Sequence, residues 1–470
     1  MTVSDGSSAK SPHLIRSLIT LILGTLLLRT AAGAMGENIQ FYLNYISDAA
    51  KASNHPLRLI AGAANVYEIP YTLRGLIFAT FFITELICSP IFGAWSDRYG
   101  RKLFIIFGPL FGAVAVQITA LTTVLWALFL TRLLEGLSTA SNAPSSLGYI
   151  AEATSDSPKL RTRIVGFYEV ATLGGIAGGF SLGGWLWRHF GGAGIVFGIP
   201  LTSPAFAINA LVYVASLVLL WAGLHEVEES RRSTRTVSPR EAWVHYWNIL
   251  SSPRVAGFAP AWVAINAVLG VWINLTAGLM TDQGAFPGQL LVGNLNSFQA
   301  GNVRAAFAVL LIVGIAIWSV FFSQMKRTTV MLIGVVGLFL TCIFAFLINH
   351  QPAFNAPLVL PLVGLLVISV LVLSGFTPAA IGHMADITEG YRGDRGAIMG
   401  LYSVFLGLGQ VIGSTIGGPF VDWHGWDGVI LVTALLGIIA GVITVRLHYS
   451  EDRLNASALP RADEATSLPQ

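Results

Sequence analysis

The stretch Gly93-Ala94-Trp95-Ser96-Asp97-Arg98-Tyr99-Gly100-Arg101-Lys102 sets four charged residues between two apolar runs, at roughly 73–95 and 103–121. About 20 apolar residues suffice to carry a helix across a bilayer, so these ten residues read as a short loop at a membrane face. Gly93 and Gly100 permit a tight turn there. Asp97 suits the positive end of a neighbouring helix. Arg101 or Lys102 can pair with an acid at another span end, and Glu152 is the obvious partner. The plainer alternative is that these basic residues only mark the side of the membrane on which lysine and arginine collect.

Outward from this loop the chain keeps the same character. Of 470 residues, 54% are hydrophobic and 11% charged, whereas a soluble domain carries about 25% charged residues. Lipid must solvate most of such a chain. The net charge of +3 is too small to argue for a nucleic-acid partner. Twelve apolar runs can be counted, at roughly 17–42, 73–95, 103–121, 124–150, 163–187, 204–223, 255–280, 304–324, 329–348, 356–381, 397–420 and 428–447. The longest polar break within them divides the chain into a six-helix bundle over 1–223, a cytoplasmic linker over 224–254 and a second six-helix bundle over 255–447. A disordered cytoplasmic tail is expected over 448–470. Trp243, Trp247 and Leu250 recur at helical spacing in the linker and suit either an amphipathic surface helix or a solvated connection.

With both termini inside, 20 of the 27 lysines and arginines fall on the cytoplasmic side, 5 outside and 2, Arg29 and Arg132, within spans. That bias sets the orientation. Met1 to Ser17 is polar and no small-residue cleavage site follows, so the N-terminus is expected to stay cytoplasmic. Cys88 and Cys342 lie in apolar runs and read as buried free thiols, with no metal site.

A shift of 234 residues aligns the chain with itself. Ala151-Glu152-Ala153-Thr154 falls on Ala385-Asp386-Ile387-Thr388, Arg161 on Arg395, Ile164 on Ile398, Tyr168 on Tyr402 and Val170 on Val404. Gly166, Gly175, Gly179, Gly183, Gly184 and Gly191 fall on Gly400, Gly409, Gly413, Gly417, Gly418 and Gly425. The expected architecture is therefore an all-α integral membrane protein of twelve helices in two pseudo-symmetric halves. Secondary transporters built this way hold their substrate near the midplane and rock one half against the other.

The loop quoted above resembles the signature G-x-x-x-D-R-x-G-R-K of the major facilitator superfamily, with every marked position filled. The resemblance implies a latch that holds the cytoplasmic side closed in the outward-open state, formed by Gly93, Asp97, Arg98, Gly100, Arg101, Lys102 and Glu152, with Asp386 as the repeat of Glu152. The second half has only Ser323-Gln324-Met325-Lys326-Arg327 at the equivalent loop. Arg132-Leu133-Leu134-Glu135-Gly136 is similar to the family's R-x-x-Q-G, with glutamate for glutamine, and Arg132 matches the position the family associates with proton coupling. A buried structural ion pair is the alternative. The glycines of span five resemble the antiporter motif G-x8-G-x3-GP-x2-GG, except that Phe180 stands in place of proline and Ser414 at its repeat. The motif implies export, and small residues at this spacing also serve close helix packing.

Ionisable residues inside the spans gather in the first half: Arg29, Glu37, Glu85, Arg132, Glu135 and Glu169. They can neutralise one another as acid–base pairs, since a lone charge in lipid is costly. Removal from water favours a carboxyl's neutral form, which makes Glu85 the leading proton carrier; a fixed pair with Arg29 or Arg132 is the alternative. His383 reads as a packing or capping residue more readily than as a relay. The second half offers aromatics such as Trp262, Trp272, Phe307 and Phe376, of which one or two could line a cavity. No G-x4-G-K-[ST] phosphate loop is present, so ATP is not the energy source within this chain. Pro144 stands where a nucleophile elbow around Ser146 would need its first glycine, and no enzyme activity is expected. The reading is a proton-coupled exporter of a hydrophobic or amphiphilic small molecule. It would be a monomer in the plasma (inner) membrane without cofactors. A symporter or facilitator for a polar metabolite, a lipid flippase and a transport-inactive receptor on the same frame are the competing readings.

Overall fold

The structure is a computed structural model, and it describes residues 12–54, 67–196, 198–227, 241, 244, 251–283, 285–322, 324–387 and 395–458. The residues proposed for an amphipathic linker helix, Trp243, Trp247 and Leu250, lie outside them.

Apolar runs this long bury their backbone polar groups in lipid only as helices. The first six are α1 (Pro12–Ser53), α2 (Tyr71–Tyr99), α3 (Arg101–Leu121), α4 (Leu125–Ala153), α5 (Pro158–Phe190) and α6 (Pro204–Gly223). They are followed by α7 (Pro253–Thr281), α8 (Ser297–Phe321), α9 (Arg327–Asn349), α10 (Val359–Leu373), α11 (Phe376–Ile387) and α12 (Arg395–Ala458). Two three-residue strands, β1 (Gly194–Val196) and β2 (Ile199–Leu201), pair antiparallel between α5 and α6, a small exception to the all-helical expectation.

Helices and membrane crossings do not correspond one to one. The 64 residues of α12 would run about 95 Å if straight, some three times the hydrocarbon thickness. His424 and Gly425 leave helical geometry, Gly425 with φ 59°, and fold α12 into spans eleven and twelve. Conversely, α10 and α11 together make span ten, interrupted at Ser374 and Gly375 where the Trp318 ring fills the space a side chain would need. Among the described residues ten stretches are long and apolar enough to cross a membrane. Span four is the least apolar, because α4 carries Arg132, Glu135 and a run of buried serine, threonine and asparagine. With it, and with α12 counted twice, the twelve crossings are complete. α12 continues as helix to Ala458, so it overlaps the start of the expected tail over 448–470.

Twelve crossings put both ends of the chain on one face, here the terminal face, with Ser53, Tyr71, Thr281, Ser297 and His424 at the opposite, distal face. The halves repeat their packing. α1 lies on α5 as α7 lies on the first arm of α12, and α3 lies on α4 as α9 lies on α10 and α11. Large apolar residues such as Trp126, Trp221 and Leu360 remain exposed on the outer surface, where lipid rather than water would meet them.

Candidate functional site

At the terminal face α2 continues as helix to Tyr99, and α3 begins at Arg101. The expected ten-residue loop shrinks to Gly100, whose φ of 100° strongly favours glycine. Gly93 is helical, and a Cβ there would make only ordinary contact with Pro144 at 3.6 Å, so the turn does not need it. Arg101 bridges Asp97 and Glu152, the latter at 3.0 Å, and donates to Ser96 Oγ at 2.8 Å. Glu226, just past α6, joins this cluster without any signature in the sequence around it. Its carboxylate accepts the backbone N–H groups of Arg101 at 3.1 Å and Lys102 at 3.3 Å. It thereby supplies the open N-terminus of α3 with an anion. Arg98 lies over the Tyr99 ring instead of joining the cluster.

The second half keeps a reduced copy. Asp386 pairs with Arg327 at 3.8 Å, both exposed. Gly148 and Gly382 are 234 residues apart, and each lets a guanidinium lie against its helix, Arg101 on the first and Arg327 on the second.

The glycine frame also has a defined use. Gly175, Gly179 and Gly183 face α1 at Arg29, Thr30 and Ala34, while their repeats Gly409, Gly413 and Gly417 face α7 at Asn266, Ala267 and Val271. A Cβ at Gly183 would come within 2.7 Å of the Ala34 carbonyl oxygen and of Glu37 Cβ. Gly184 and Gly418 point the other way, into the opposite half, Gly184 against Ser297 and Phe298, Gly418 against Tyr71 and Thr72. Gly166 has open space around it, and the surroundings of Gly400 are outside the description.

Within the membrane Arg132 pairs with Glu135 one turn on, and both are buried. Arg29 lies close enough to Glu85 and Glu169 for their charges to interact; Glu85 is half-buried and Glu169 exposed. Glu37 departs from the expected pairing inside the first half. Its partner is Arg304 of α8, whose guanidinium also donates to the Ile273 carbonyl and lies 4.5 Å from the centroid of the Phe180 ring. Arg304 sits in the second turn of α8 at 6% exposure. Asn38, beside Glu37, is fully buried and neither of its polar side-chain atoms meets a protein partner.

Of the four aromatics considered for the second half, Trp262 and Phe376 are core residues at 1% and 0% exposure, stacked on each other, with Phe258 and then His383 beyond. Trp272 stacks on Phe307 and donates to Thr433 Oγ1 at 2.9 Å.

Among the described residues, the hydrogen bonds and ion pairs between the two halves gather toward the distal face. Gln40 donates to the Ile273 carbonyl at 3.0 Å and accepts the Gly278 N–H at 3.1 Å. Asn44 donates to the Gly278 carbonyl at 2.8 Å, and Tyr71 donates to Asp282 at 2.7 Å. Ser297 donates to the Gly184 carbonyl at 3.1 Å. Backbone meets backbone at two glycines, Gly75 on the Ser414 carbonyl and Gly301 on the Phe180 carbonyl. These contacts join the two halves on the distal side.

Comparison with known proteins accords with this architecture. The chain is 26% identical to Multidrug resistance protein 1 of Bacillus subtilis (strain 168) over 361 residues, covering 76% of this chain and 83% of that protein. A shorter stretch of 164 residues is 30% identical to the class E tetracycline resistance protein of Escherichia coli, covering 35% of this chain and 37% of the relative. Among solved structures, a mutant of the nucleoside transporter NupG superposes with a TM-score of 0.70 at 13% identity, covering 91% of this chain and 99% of that one, a likeness of fold. The sequence model of the Major Facilitator Superfamily matches residues 18–291 and 271–469. Matched over nearly its whole length and folded as twelve membrane helices in two repeated halves, the chain belongs to the Major Facilitator Superfamily of membrane transporters.

Proposed function

We propose that this protein is a proton-coupled exporter of hydrophobic or amphiphilic small molecules that works by alternating access. Its halves are taken as residues 1–223 and 255–447, and both termini as cytoplasmic at the plasma membrane. The observation that carries the reading is the unequal polarity of the halves. Arg29, Glu85, Glu169, Arg132 and Glu135 all belong to the first half, and Arg29 lies within charge–charge reach of both Glu85 and Glu169. Among the described residues the interior of the second half buries one cation, Arg304 on Glu37, and an uncharged Asn274–Gln410–Ser414 network, set among aromatic and aliphatic side chains. A cavity between such walls suits a molecule with one polar and one apolar end. Among the acids, Glu85 and Glu169 are less buried than Glu135 and share Arg29 as a neighbouring charge, which favours them as proton carriers. Arg132 and Glu135 act as a fixed pair. The multidrug and tetracycline resistance relatives support export of drug-like compounds.

The contacts at the distal face support an inward-facing state; Asp97, held here by Arg101 within the first half, is the cytoplasmic latch of the opposite state. The test is purified protein in liposomes, an imposed pH gradient, and a panel of amphiphilic cations, sugars and lipids. Gradient-driven flux of the cations, lost in Glu85→Gln or Glu169→Gln, is the expected result. Flux of no compound under either sign of gradient, or unchanged flux in both variants, would overturn the reading.

A further inference from the structure

One contact at the distal face differs in kind from the others. Helix α2 starts behind Pro70, which is extended and provides no side-chain cap. The cap comes from the other half. Asp422, two residues before the kink of α12, accepts the Tyr71 N–H at 2.5 Å on one carboxylate oxygen; the other accepts the Thr72 N–H at 2.9 Å and the Thr72 hydroxyl at 2.6 Å. Helix α8 takes the place of α2 in the second half, and it needs no such help, because Asn296 and Gln299 close its start with their own capping box. The two halves therefore differ at this point, and the difference is not legible from the repeat.

The two helices involved run antiparallel and are packed together over much of their length. Gly418 lies against Thr72, Gly75 against the Ser414 carbonyl and, further in, Gly407 against Leu86 at 3.8 Å. Each helix carries an aspartate near its C-terminal end, Asp97 on α2 and Asp422 on the first arm of α12. Asp422 occupies the N-terminus of its partner. Asp97 stands at the terminal face, where the partner begins at Arg395, and is held here by Arg101.

We infer that Asp422 is a distal-face latch, the reciprocal of Asp97 on the same pair of helices. An uncapped helix start leaves backbone N–H groups without acceptors, and a carboxylate there is further favoured by the helix dipole. Separation of the distal ends strips Asp422 of three donors at once. The same rocking carries the α2 end that bears Asp97 toward the start of α12. One carboxylate cap is given up as the other is made, which keeps the two end states close in energy and makes intermediate positions, with neither cap formed, the costly ones. The inference rests on alternating access as proposed above.

The test uses the full chain with Cys88 and Cys342 replaced by serine and spin labels on Ile195→Cys and Phe354→Cys, exposed positions at the distal ends of opposite halves. Distance distributions are recorded in liposomes under pH gradients of both signs. Two populations are expected, and Asp422→Asn should raise the ratio of long to short distances about tenfold. Asparagine keeps the shape but loses the charge and turns an amide toward one of the donors. Thr72→Val, which removes only the hydroxyl contact, should move the ratio the same way by less, and Asp97→Asn should move it the other way. An unchanged ratio in Asp422→Asn and Thr72→Val, or a shift in the direction of Asp97→Asn, would overturn the latch. A single distance in every variant and under both gradients would remove alternating access itself, and the latch with it.

Discussion

Arg304 of α8 closes on Glu37 of α1 across the two halves, with both side chains buried and the Phe180 ring beneath the guanidinium. Phe180 is the residue that breaks the antiporter pattern, and here it forms one wall for a cation. Taking away one member of a buried pair costs about 3–5 kcal/mol, because the other is left charged without a partner. Glu37→Ala and Arg304→Ala should each lower the thermal midpoint of the solubilised protein by several degrees. The double variant should be less destabilised than the sum of the two. Additive losses in a double-mutant cycle would show that the pair does not couple.

Gly100 should resist substitution more than Gly93. A Cβ at Gly100 must adopt φ near 100° and would stand 2.9 Å from Glu226 Oε2. A left-handed residue other than glycine costs roughly 1–2 kcal/mol, so Gly100→Ala should melt lower and lose the cap on α3. Gly93→Ala sits in a helix and should be neutral or slightly stabilising. Equal melting curves for the two variants would contradict this.

The glycines of α5 separate into two classes by what surrounds them. Gly183→Val drives a side chain into the Ala34 backbone and should split α1 from α5, giving aggregated protein on size exclusion. Gly166→Ala enters open space and should elute and melt as the parent does. Had both belonged to one signature of equal weight at every position, the two variants would behave alike.

The two repeated ion pairs should also differ in weight. Arg101 and Glu152 are each 11% exposed, whereas Arg327 and Asp386 are 42% and 64% exposed. Exposed pairs contribute about 0–1 kcal/mol. Asp386→Asn should therefore leave the melt unchanged within about a degree, while Glu152→Gln lowers it and raises the labelling of cysteines introduced at the terminal face. A comparable loss from both would mean that burial does not set their strength.

Much of this was readable without coordinates. The twelve spans follow from hydropathy alone, because lipid leaves a polypeptide few alternatives to the helix. The 234-residue offset predicts which elements are equivalent, and Gly148 and Gly382, which lie on it, each receive an arginine from the start of the preceding span, although Arg101 and Arg327 themselves stand off that register. Arg101 with Glu152 could be paired from charge and position at neighbouring span ends. Glu226 could not, since nothing in the residues around it says that it will reach the start of α3. Nor could the partner of Glu37, because Arg304 lies 267 residues away and in the other half of the chain.

What the sequence by itself determined is the class of solvent, the number of crossings and the repeat, all of them consequences of composition and period along one chain. Only the tertiary structure decided how the halves meet. The Asp422 cap on α2, the Arg304–Glu37 pair and the backbone contacts at Gly75 and Gly301 join segments from opposite halves of the chain. Their partners are chosen by helix packing in three dimensions, where small residues let backbones approach and buried polar groups must find one another.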